Sequence, residues 1–203
     1  MITIYGSPNS SAGRCYWCLE EIGVPYTVKA VDFATKEHKS EWFMKINPNG
    51  KVPALTDGVL TLFESMAINF YLAEKYKPEL LGTTTEAKAL VYQWSFWSLT
   101  ELQSPMIQIF IQKVFVPAER RSQQVIDDNE KILPGLLSVL NQALENKKYL
   151  AGNDFTLADL STASVAIITQ AIGYDISHYP NIKSWLGHIS ERPSFLKYQG
   201  MKH

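Results

Sequence analysis

The stretch ITIYGSPNSSAGRCYWCLEEIGVPYTVKAV, residues 2–31, decides the fold of the first part of the chain. Its first apolar residues, 2–5, predict a short strand. A segment rich in Gly, Pro, Asn and Ser then leads into a helical pattern over residues 11–22, which closes at Gly23 as helices commonly do. Residues 26–31 are strand-like again. A strand, a helix and a second strand in this order indicate a parallel β-α-β unit.

The segment NPNGKVPALTDGVLTLF (47–63) comes next, and its Asp57-Gly58 between two β-rich runs predicts a hairpin. SMAINFYLAEKY (65–76) then predicts a helix with one apolar face. The order β-α-β followed by β-β-α describes a small mixed sheet with helices packed on it. The sequence therefore predicts a first, α/β domain over residues 1–77.

Strand signals stop after this domain, so the rest of the chain is expected to be an all-helical domain, residues 85–203, joined by a linker, residues 78–84. The expected helical segments, with breaks near Pro105, Pro117 and Pro193, are 85–113, 118–147, 156–172 and 181–199. The third opens with TLAD, a capping-box pattern of Thr156 and Asp159. The predicted fold class is α/β plus all-α.

Composition and charge limit the classes of function. The 203 residues are 46% hydrophobic, and 19 Lys+Arg against 20 Asp+Glu give a net charge of −1. That balance gives no electrostatic reason to expect nucleic acid or an anionic membrane as a partner. No secretory signal is visible, and the most apolar stretch, 163–173, is too short to span a bilayer, so we expect a cytoplasmic protein. The four histidines, at positions 38, 178, 188 and 203, are too scattered to indicate a metal site.

A Cys-x-x-Cys at Cys15 and Cys18 is the first candidate for chemistry. A redox dithiol needs its attacking cysteine in the first helical turn, where free N–H groups and the helix dipole lower the thiol pKa. A helix that begins near Ser11 leaves Cys15 beyond that turn. We therefore expect two packed, unreactive thiols, although Arg14 beside Cys15 keeps a redox role open.

Four motifs in order give a resemblance to a known family. They are the Ser-bearing loop before the first helix, EHKSEWFMKINPNGKVPAL (37–55), LFESMAINFYLAEKY (62–76) and AGNDFTLADLSTAS (151–164). Together they resemble the cytosolic glutathione transferases, and the first three are similar to the phi-type and related serine-type members, many of them plant or bacterial. The resemblance implies a thioredoxin-like N-terminal domain that binds glutathione. It also implies a helical domain that forms most of the wall for a hydrophobic electrophile.

The same resemblance implies a homodimer, a role in detoxification, and glutathione as co-substrate with no bound cofactor. Two other functions stay open: a glutathione-dependent peroxidase or thiol–disulfide reductase, and a non-catalytic interaction module with the same fold. The presence together of the serine loop, the EHK segment and the FES segment argues against the module, because a scaffold has no use for them.

The catalytic hydroxyl of serine-type members lies four residues before an Arg, and Ser10 stands at that distance from Arg14. Ser11 is the alternate, and either serine alone is most often a helix N-cap. The hydroxyl is expected to donate a hydrogen bond to the glutathione thiolate rather than to act as a nucleophile. Tyrosine-type members use a residue near the end of the first strand. Tyr5 is too far from Arg14 for that role, and we interpret it as a strand residue.

The resemblance also implies the residues that bind glutathione. Val52 precedes Pro53 in a cis peptide and pairs its backbone with the tripeptide. Ser65, at a helix N-terminus, holds the γ-glutamyl carboxylate, and Glu64 contacts the ammonium or the adjoining backbone.

Three basic residues are implied at the glycine end of glutathione. His38 and Lys39 belong to the EHK segment, and Lys51 occupies a position where the family often has Gln or Lys. Each of them alone is more often a solvated surface group.

Overall fold

The computed structural model of the chain describes residues 1–201, and His203 of the histidine set above lies outside the described residues. The chain forms two compact units, one of residues 1–81 together with the residues from 191 onward, and one of residues 82–190. The first unit is α/β and the second is helical, so the predicted fold class is confirmed. The domain limits expected from the sequence stay predictions.

The first unit contains the predicted mixed sheet. Its strands are β1 (Ile2–Tyr5), β2 (Tyr26–Lys29), β3 (Ala54–Asp57) and β4 (Leu60–Phe63). They lie in the order β2-β1-β3-β4, with β1 parallel to β2 and the other neighbours antiparallel. Asp57 pairs with Leu60, so Gly58 and Val59 form the turn of the predicted hairpin. Gly58 has a φ of 62°, which is the left-handed region that glycine adopts without strain.

Three helices of this unit are α1 (Gly13–Ile22), α2 (Glu41–Met44) and α3 (Ser65–Tyr76). The expected start of α1 at residue 11 is wrong by two residues, because the chain first makes a turn in which the Gly13 N–H donates to the Ser10 carbonyl at 2.9 Å. Its end is as expected: Gly23 has a φ of 80° and donates its N–H to the Leu19 carbonyl.

The second unit consists of helices. They are α4 (Thr85–Trp97), α5 (Gln103–Phe110), α6 (Gln123–Glu130), α7 (Leu133–Ala143), α8 (Leu157–Ala166), α9 (Ile168–Ile172) and α10 (Pro180–Ser190). Near Pro105 the regular α-helical hydrogen bonding is interrupted, as expected, by the π-helical turn Ser98–Leu102 between α4 and α5, and Pro105 itself lies in the first turn of α5, where its missing N–H is tolerated. The helix α8 is buried nearly throughout and carries the predicted capping box of Thr156 and Asp159. No helix within residues 1–201 is long and apolar enough to cross a membrane.

The last described helix, α11 (Pro193–Gly200), packs on α1 in the first unit. The Trp17 ring lies parallel to the Tyr198 ring, with centroids 6.4 Å apart, and meets the Phe195 ring edge-on at 5.0 Å. At the other end of α1, the buried Glu21 carboxylate accepts hydrogen bonds from Arg192. The C-terminal segment is therefore part of the unit that carries the predicted glutathione site.

Candidate active site

The turn before α1 is held by its own serine. The Ser10 N–H donates to the Ser7 carbonyl at 3.0 Å, and the Ser10 hydroxyl donates to the same carbonyl at 2.6 Å. The Ser10 Oγ in turn accepts the Ala12 N–H at 3.2 Å. Ser10 is half-buried and closes a serine turn onto Ala12, whereas no side chain caps α1, whose N-cap is Ala12; the expectation that either serine is the N-cap is therefore wrong.

Ser11 makes a different contact, across the fold. Its exposed side chain donates to the Val52 carbonyl at 2.7 Å, although the two residues are 41 positions apart. The Val52–Pro53 peptide bond is cis, as the resemblance implied. Within residues 1–201 the Val52 N–H makes no hydrogen bond, so it is available to a ligand. The structure thus joins the serine turn to the backbone expected to pair with glutathione.

The start of α3 is open. Glu64 precedes the helix with a φ of 70°, a conformation that a residue with a Cβ adopts only under strain, and no side chain caps the helix. Among the described residues, the N–H groups of Ser65, Met66 and Ala67 find no acceptor. Unpaired N–H groups at a helix start, together with the helix dipole, attract a carboxylate.

The basic segment lies against the loop before β3. A Cβ built on Gly50 would lie 2.7 Å from the Lys39 Nζ and 2.8 Å from the His38 carbonyl, so the two segments are in close contact. The Lys39 Nζ donates to the Asn49 carbonyl at 3.2 Å, and Lys51 is exposed. The His38 ring stacks on Phe33 at 4.6 Å. Its Nδ1 is buried and has no hydrogen-bond partner within residues 1–201.

The two cysteines are packed between α1 and α3. The Cys15 thiol donates to the Ser65 carbonyl at 3.5 Å, and Cys18 faces the Asn69 carbonyl at 4.0 Å. Because α1 begins at Gly13, Cys15 does lie in the first turn, and our expectation that it lies beyond that turn is wrong. Burial nevertheless raises the pKa of Cys15 to about 12, against the opposing effect of Arg14, and burial also raises the pKa of Cys18. Both thiols are therefore unreactive.

Tyr5 belongs to the core of the first unit. Its ring lies 6.3 Å from the rings of both Trp42 and Phe43, and only 8% of the residue is exposed. Its role as a strand residue agrees with the interpretation made from the sequence.

The contacts between α1 and α3 could not be found from motifs. The Asn69 amide donates to the Arg14 carbonyl at 3.3 Å, and the Arg14 guanidinium lies 3.9 Å from the Met66 sulfur. The available signal was a matched spacing of three residues, Cys15 and Cys18 on one helix, Met66 and Asn69 on the other, which is typical of facing helical stripes. Among the described residues, no group of His, Cys, Asp or Glu is arranged to hold a metal ion.

Comparison of the sequence with known protein families and with known proteins gives the same family for both parts of the chain. The family model for the glutathione S-transferase N-terminal domain matches residues 1–74, and the model for the C-terminal domain of the same family matches residues 102–193. Glutathione S-transferase 1 of Zea mays is 40% identical over 201 residues, which cover 96% of this chain and 94% of that protein.

Solved structures of similar proteins agree with the fold. One is glutathione S-transferase-I bound with lactoylglutathione, with a TM-score of 0.92 and 38% identity over 98% of this chain and 99% of that chain. Another is glutathione S-transferase I from maize in complex with an atrazine glutathione conjugate, with a TM-score of 0.91 and 37% identity over 99% of this chain and 97% of that chain.

Proposed function

Because the chain belongs to the glutathione S-transferase family and is a glutathione transferase, we propose that it is a serine-type enzyme in which the Ser10 hydroxyl stabilises the glutathione thiolate. The thiolate then attacks a hydrophobic electrophile. A carbon–sulfur bond forms, the thiol proton goes to solvent, and the electrophile loses a leaving group or takes up the electron pair. The proposed subclass is phi-like, as the motifs of the sequence imply, and a bacterial grouping stays a prediction.

The energy needed for thiol activation is small enough for one hydroxyl. A free thiol has a pKa of about 8.5, so half ionisation at about pH 7 needs a shift of about 1.5 units, or roughly 2 kcal/mol. A hydrogen bond to a charged acceptor contributes about 1.5–3 kcal/mol. The start of a helix adds about 0.3–1 kcal/mol. No His or Asp base is required.

The hydrogen bonds of the two serines favour Ser10 as the donor. The Ala12 N–H holds the Ser10 Oγ in place, so rotation about the Cβ–Oγ bond is enough to turn its proton away from the Ser7 carbonyl and towards the proposed thiolate. A neutral hydrogen bond is thereby exchanged for a stronger, charge-assisted one. Both hydroxyls donate to a backbone carbonyl, but the Ser11 bond joins the turn to Val52, 41 positions away, and giving it up would release that link, whereas the Ser10 bond stays within its own turn. We therefore assign the thiolate to Ser10 and a supporting role to Ser11.

The remaining contacts follow the direction of the tripeptide. The Val52 N–H and C=O, next to Pro53, pair with the cysteinyl residue of glutathione. Ser65 and the open start of α3 bind the γ-glutamyl carboxylate, and Glu64 its ammonium. At the other end, the basic residues of the packed segments bind the glycine carboxylate; they are His38, Lys39 and Lys51. The exposure of Lys39 and Lys51 supports this assignment.

The alternative of a protein dithiol has little support. Cys15 and Cys18 are fully buried, and both thiol pKa values are raised. A thiol–disulfide enzyme needs an exposed cysteine of lowered pKa. Any peroxidase or reductase activity of this chain would therefore use the sulfur of glutathione.

We extend the proposal to a cytoplasmic homodimer, as the resemblance implies. The second unit carries a pair of stacked aromatic rings, Tyr92 and Phe96, with exposed fractions of 44% and 56%. Exposed rings of this size are typical of surfaces that a partner covers. A Phe96→Ser variant that stays dimeric in light scattering, at concentrations where the wild type is dimeric, would count against this surface.

The test is conjugation kinetics with an aryl halide and three matched serine variants. Ser10→Ala is expected to lower kcat/KM for glutathione about 100-fold, the effect of losing one donor to a developing anion. Ser11→Ala is expected to lower it about fivefold, through the loss of one tether. Ser138→Ala, at an exposed position of α7 and outside the serine turn, is the control and keeps the wild-type value. A large loss in Ser11→Ala alone would move the role to Ser11, and full activity in both variants would end the serine-type proposal.

A further inference from the structure

The C-terminal helix reaches the start of α1, and we propose that Tyr198 on that helix is a positioning residue for the Ser10 hydroxyl. This inference rests on the proposed role of Ser10. It adds to the site a residue that lies nearly the whole chain away in sequence and that belongs to none of the four motifs.

The first step is the close approach of α11 to the first residue of α1. A Cβ built on Gly13 would lie 2.4 Å from the Tyr198 Oη and 2.7 Å from the Pro8 carbonyl oxygen. Real Cβ atoms essentially never have a neighbour within 3.0 Å. Only glycine fits at this position, because the phenol hydroxyl and the carbonyl of the serine turn occupy the space above it.

Backbone hydrogen bonds connect Gly13 to Ser10. The Gly13 N–H donates to the Ser10 carbonyl at 2.9 Å, and the Ser10 N–H donates to the Ser7 carbonyl at 3.0 Å. The Ser10 hydroxyl uses the same Ser7 carbonyl. The turn therefore forms one hydrogen-bonded unit from residue 7 to residue 13. A displacement of Gly13 or Pro8 is transmitted directly to the Ser10 side chain.

The third step is the rigidity of the support. Tyr198 is only 9% exposed and its ring lies parallel to that of Trp17. The Trp17 indole N–H donates to Ser194 at 3.3 Å, and Arg192 forms an ion pair with Glu21 at 2.6 Å. These contacts fix α11 along the length of α1.

The phenol does not take part in proton transfer. Burial raises the pKa of Tyr198 to about 12, although the nearby charge of Arg14 opposes this. The hydroxyl stays protonated at neutral pH, so it does not deprotonate glutathione. Its effect on the reaction must come from the position of the turn.

The experiment measures the pH dependence of kcat/KM for glutathione in Tyr198→Phe, which removes only the hydroxyl. The apparent thiol pKa is expected to rise by about one unit, with a loss of about tenfold in kcat/KM below that pKa, as expected for a displaced catalytic group. Gly13→Ala is expected to act in the same direction, because its Cβ meets the same two oxygens. Combined with Tyr198→Phe, its effect should be less than additive.

Tyr26→Phe is the matched control. Its hydroxyl donates to Glu20 at 2.6 Å and lies 3.7 Å from the Met201 sulfur, so it too contacts the C-terminal segment, but not the serine turn. This variant is expected to keep the wild-type profile.

The outcomes separate the two proposals. An unchanged profile in Tyr198→Phe, with or without a lower melting temperature, means that α11 has only a structural role, and the inference is overturned while the role of Ser10 stands. An equal shift in Tyr26→Phe overturns it as well. An unchanged profile in Ser10→Ala, measured in the same series, overturns the proposed function itself.

Discussion

The starts of α3 and α8 carry similar polar residues and use them in opposite ways. At α8 the chain closes the helix with its own groups: the buried Asp159 carboxylate accepts from the N–H groups of Thr156 and Leu150 and from the Trp185 indole. At α3 no side chain caps the helix. Ser65 there is half-buried and Glu64 holds a strained φ of 70°.

This difference separates stability from function. A closed helix start contributes to the free energy of folding, because its N–H groups are paired inside the protein. An open start leaves that pairing to a ligand and stores strain that the surrounding structure must offset. Substitutions at α8 should therefore change stability alone, and substitutions at α3 should change glutathione binding.

The largest effect is expected at the closed start. Asp159→Ala leaves buried donors on Thr156, Leu150 and Trp185 without an acceptor, and should lower the free energy of unfolding by about 4 kcal/mol. Urea unfolding measures this. Where the variant is folded, its KM for glutathione should equal that of the wild type. A raised KM would show that the start of α8 also affects glutathione binding.

At the C-terminal end of α1, the Glu21 carboxylate is also paired inside the protein, and its contribution to stability depends on its charge. Burial alone would raise the pKa of Glu21, but hydrogen bonds from Arg192 and Ser194 and the charge of Lys77 outweigh it, so that the pKa is lowered. A lowered carboxyl pKa adds stability above the unfolded value of about 4.3, and this is lost as the pH falls through the folded pKa.

Glu21→Gln should therefore lower the free energy of unfolding at neutral pH by about 2 kcal/mol, because the basic partners lose their counter-charge. The difference from the wild type should shrink as the solution is acidified below the ordinary glutamate range. Glu41→Gln, which breaks the exposed pair with Lys45, is the control and should change stability by about 0.3 kcal/mol. A difference that is constant with pH would contradict the charge argument.

A substitution at the open start of α3 should change the binding of glutathione and leave stability nearly unchanged. Ser65→Ala removes the donor proposed for the γ-glutamyl carboxylate and should raise KM for glutathione about tenfold. Its free energy of unfolding should change by less than about 0.5 kcal/mol, because the hydroxyl caps nothing. Steady-state kinetics and urea unfolding on the same preparation test both parts. A loss of stability comparable to that of Asp159→Ala would show that α3 is closed after all.

The smallest expected effect has the opposite sign. Glu64→Gly relieves the positive φ and should raise the free energy of unfolding by about 1 kcal/mol, since the strain of such a residue exceeds the entropy lost by glycine. The same variant should bind glutathione more weakly. If thermal unfolding shows that Glu64→Gly is less stable than the wild type, the backbone conformation of Glu64 is not strained.

The fold was predictable because its signals are local. Hydrophobic periodicity, the Asp57-Gly58 turn and the Thr156–Asp159 box each depend on a few neighbouring residues. The start of α1 was not predictable, since a serine before a helix can either cap the helix or form a turn that precedes it. Which of the two forms depends on the acceptor of the Ser10 hydroxyl, which here is the Ser7 carbonyl of the turn.

The candidate site can be read from the sequence only as a set of residues, and their roles stay predictions. Motifs marked Ser10, Val52 and Ser65, but the contacts that join them, Ser11 to Val52 and Cys15 to Ser65, cross more than forty positions. The φ of Glu64 likewise has no signature in the sequence. Tyr198 lies in no motif, and its place above Gly13 follows from the packing of α11.

Thiol activation by Ser10 can be measured directly by a pH titration of bound glutathione, followed by thiolate absorbance, in the wild type and in Ser10→Ala. If Ser10 stabilises the thiolate, the thiol pKa of the bound tripeptide is lowered in the wild type by about 1.5 units and returns towards the free value in the variant. A lowered pKa of equal size in both proteins would contradict it, because the thiolate would then be stabilised by a group other than Ser10.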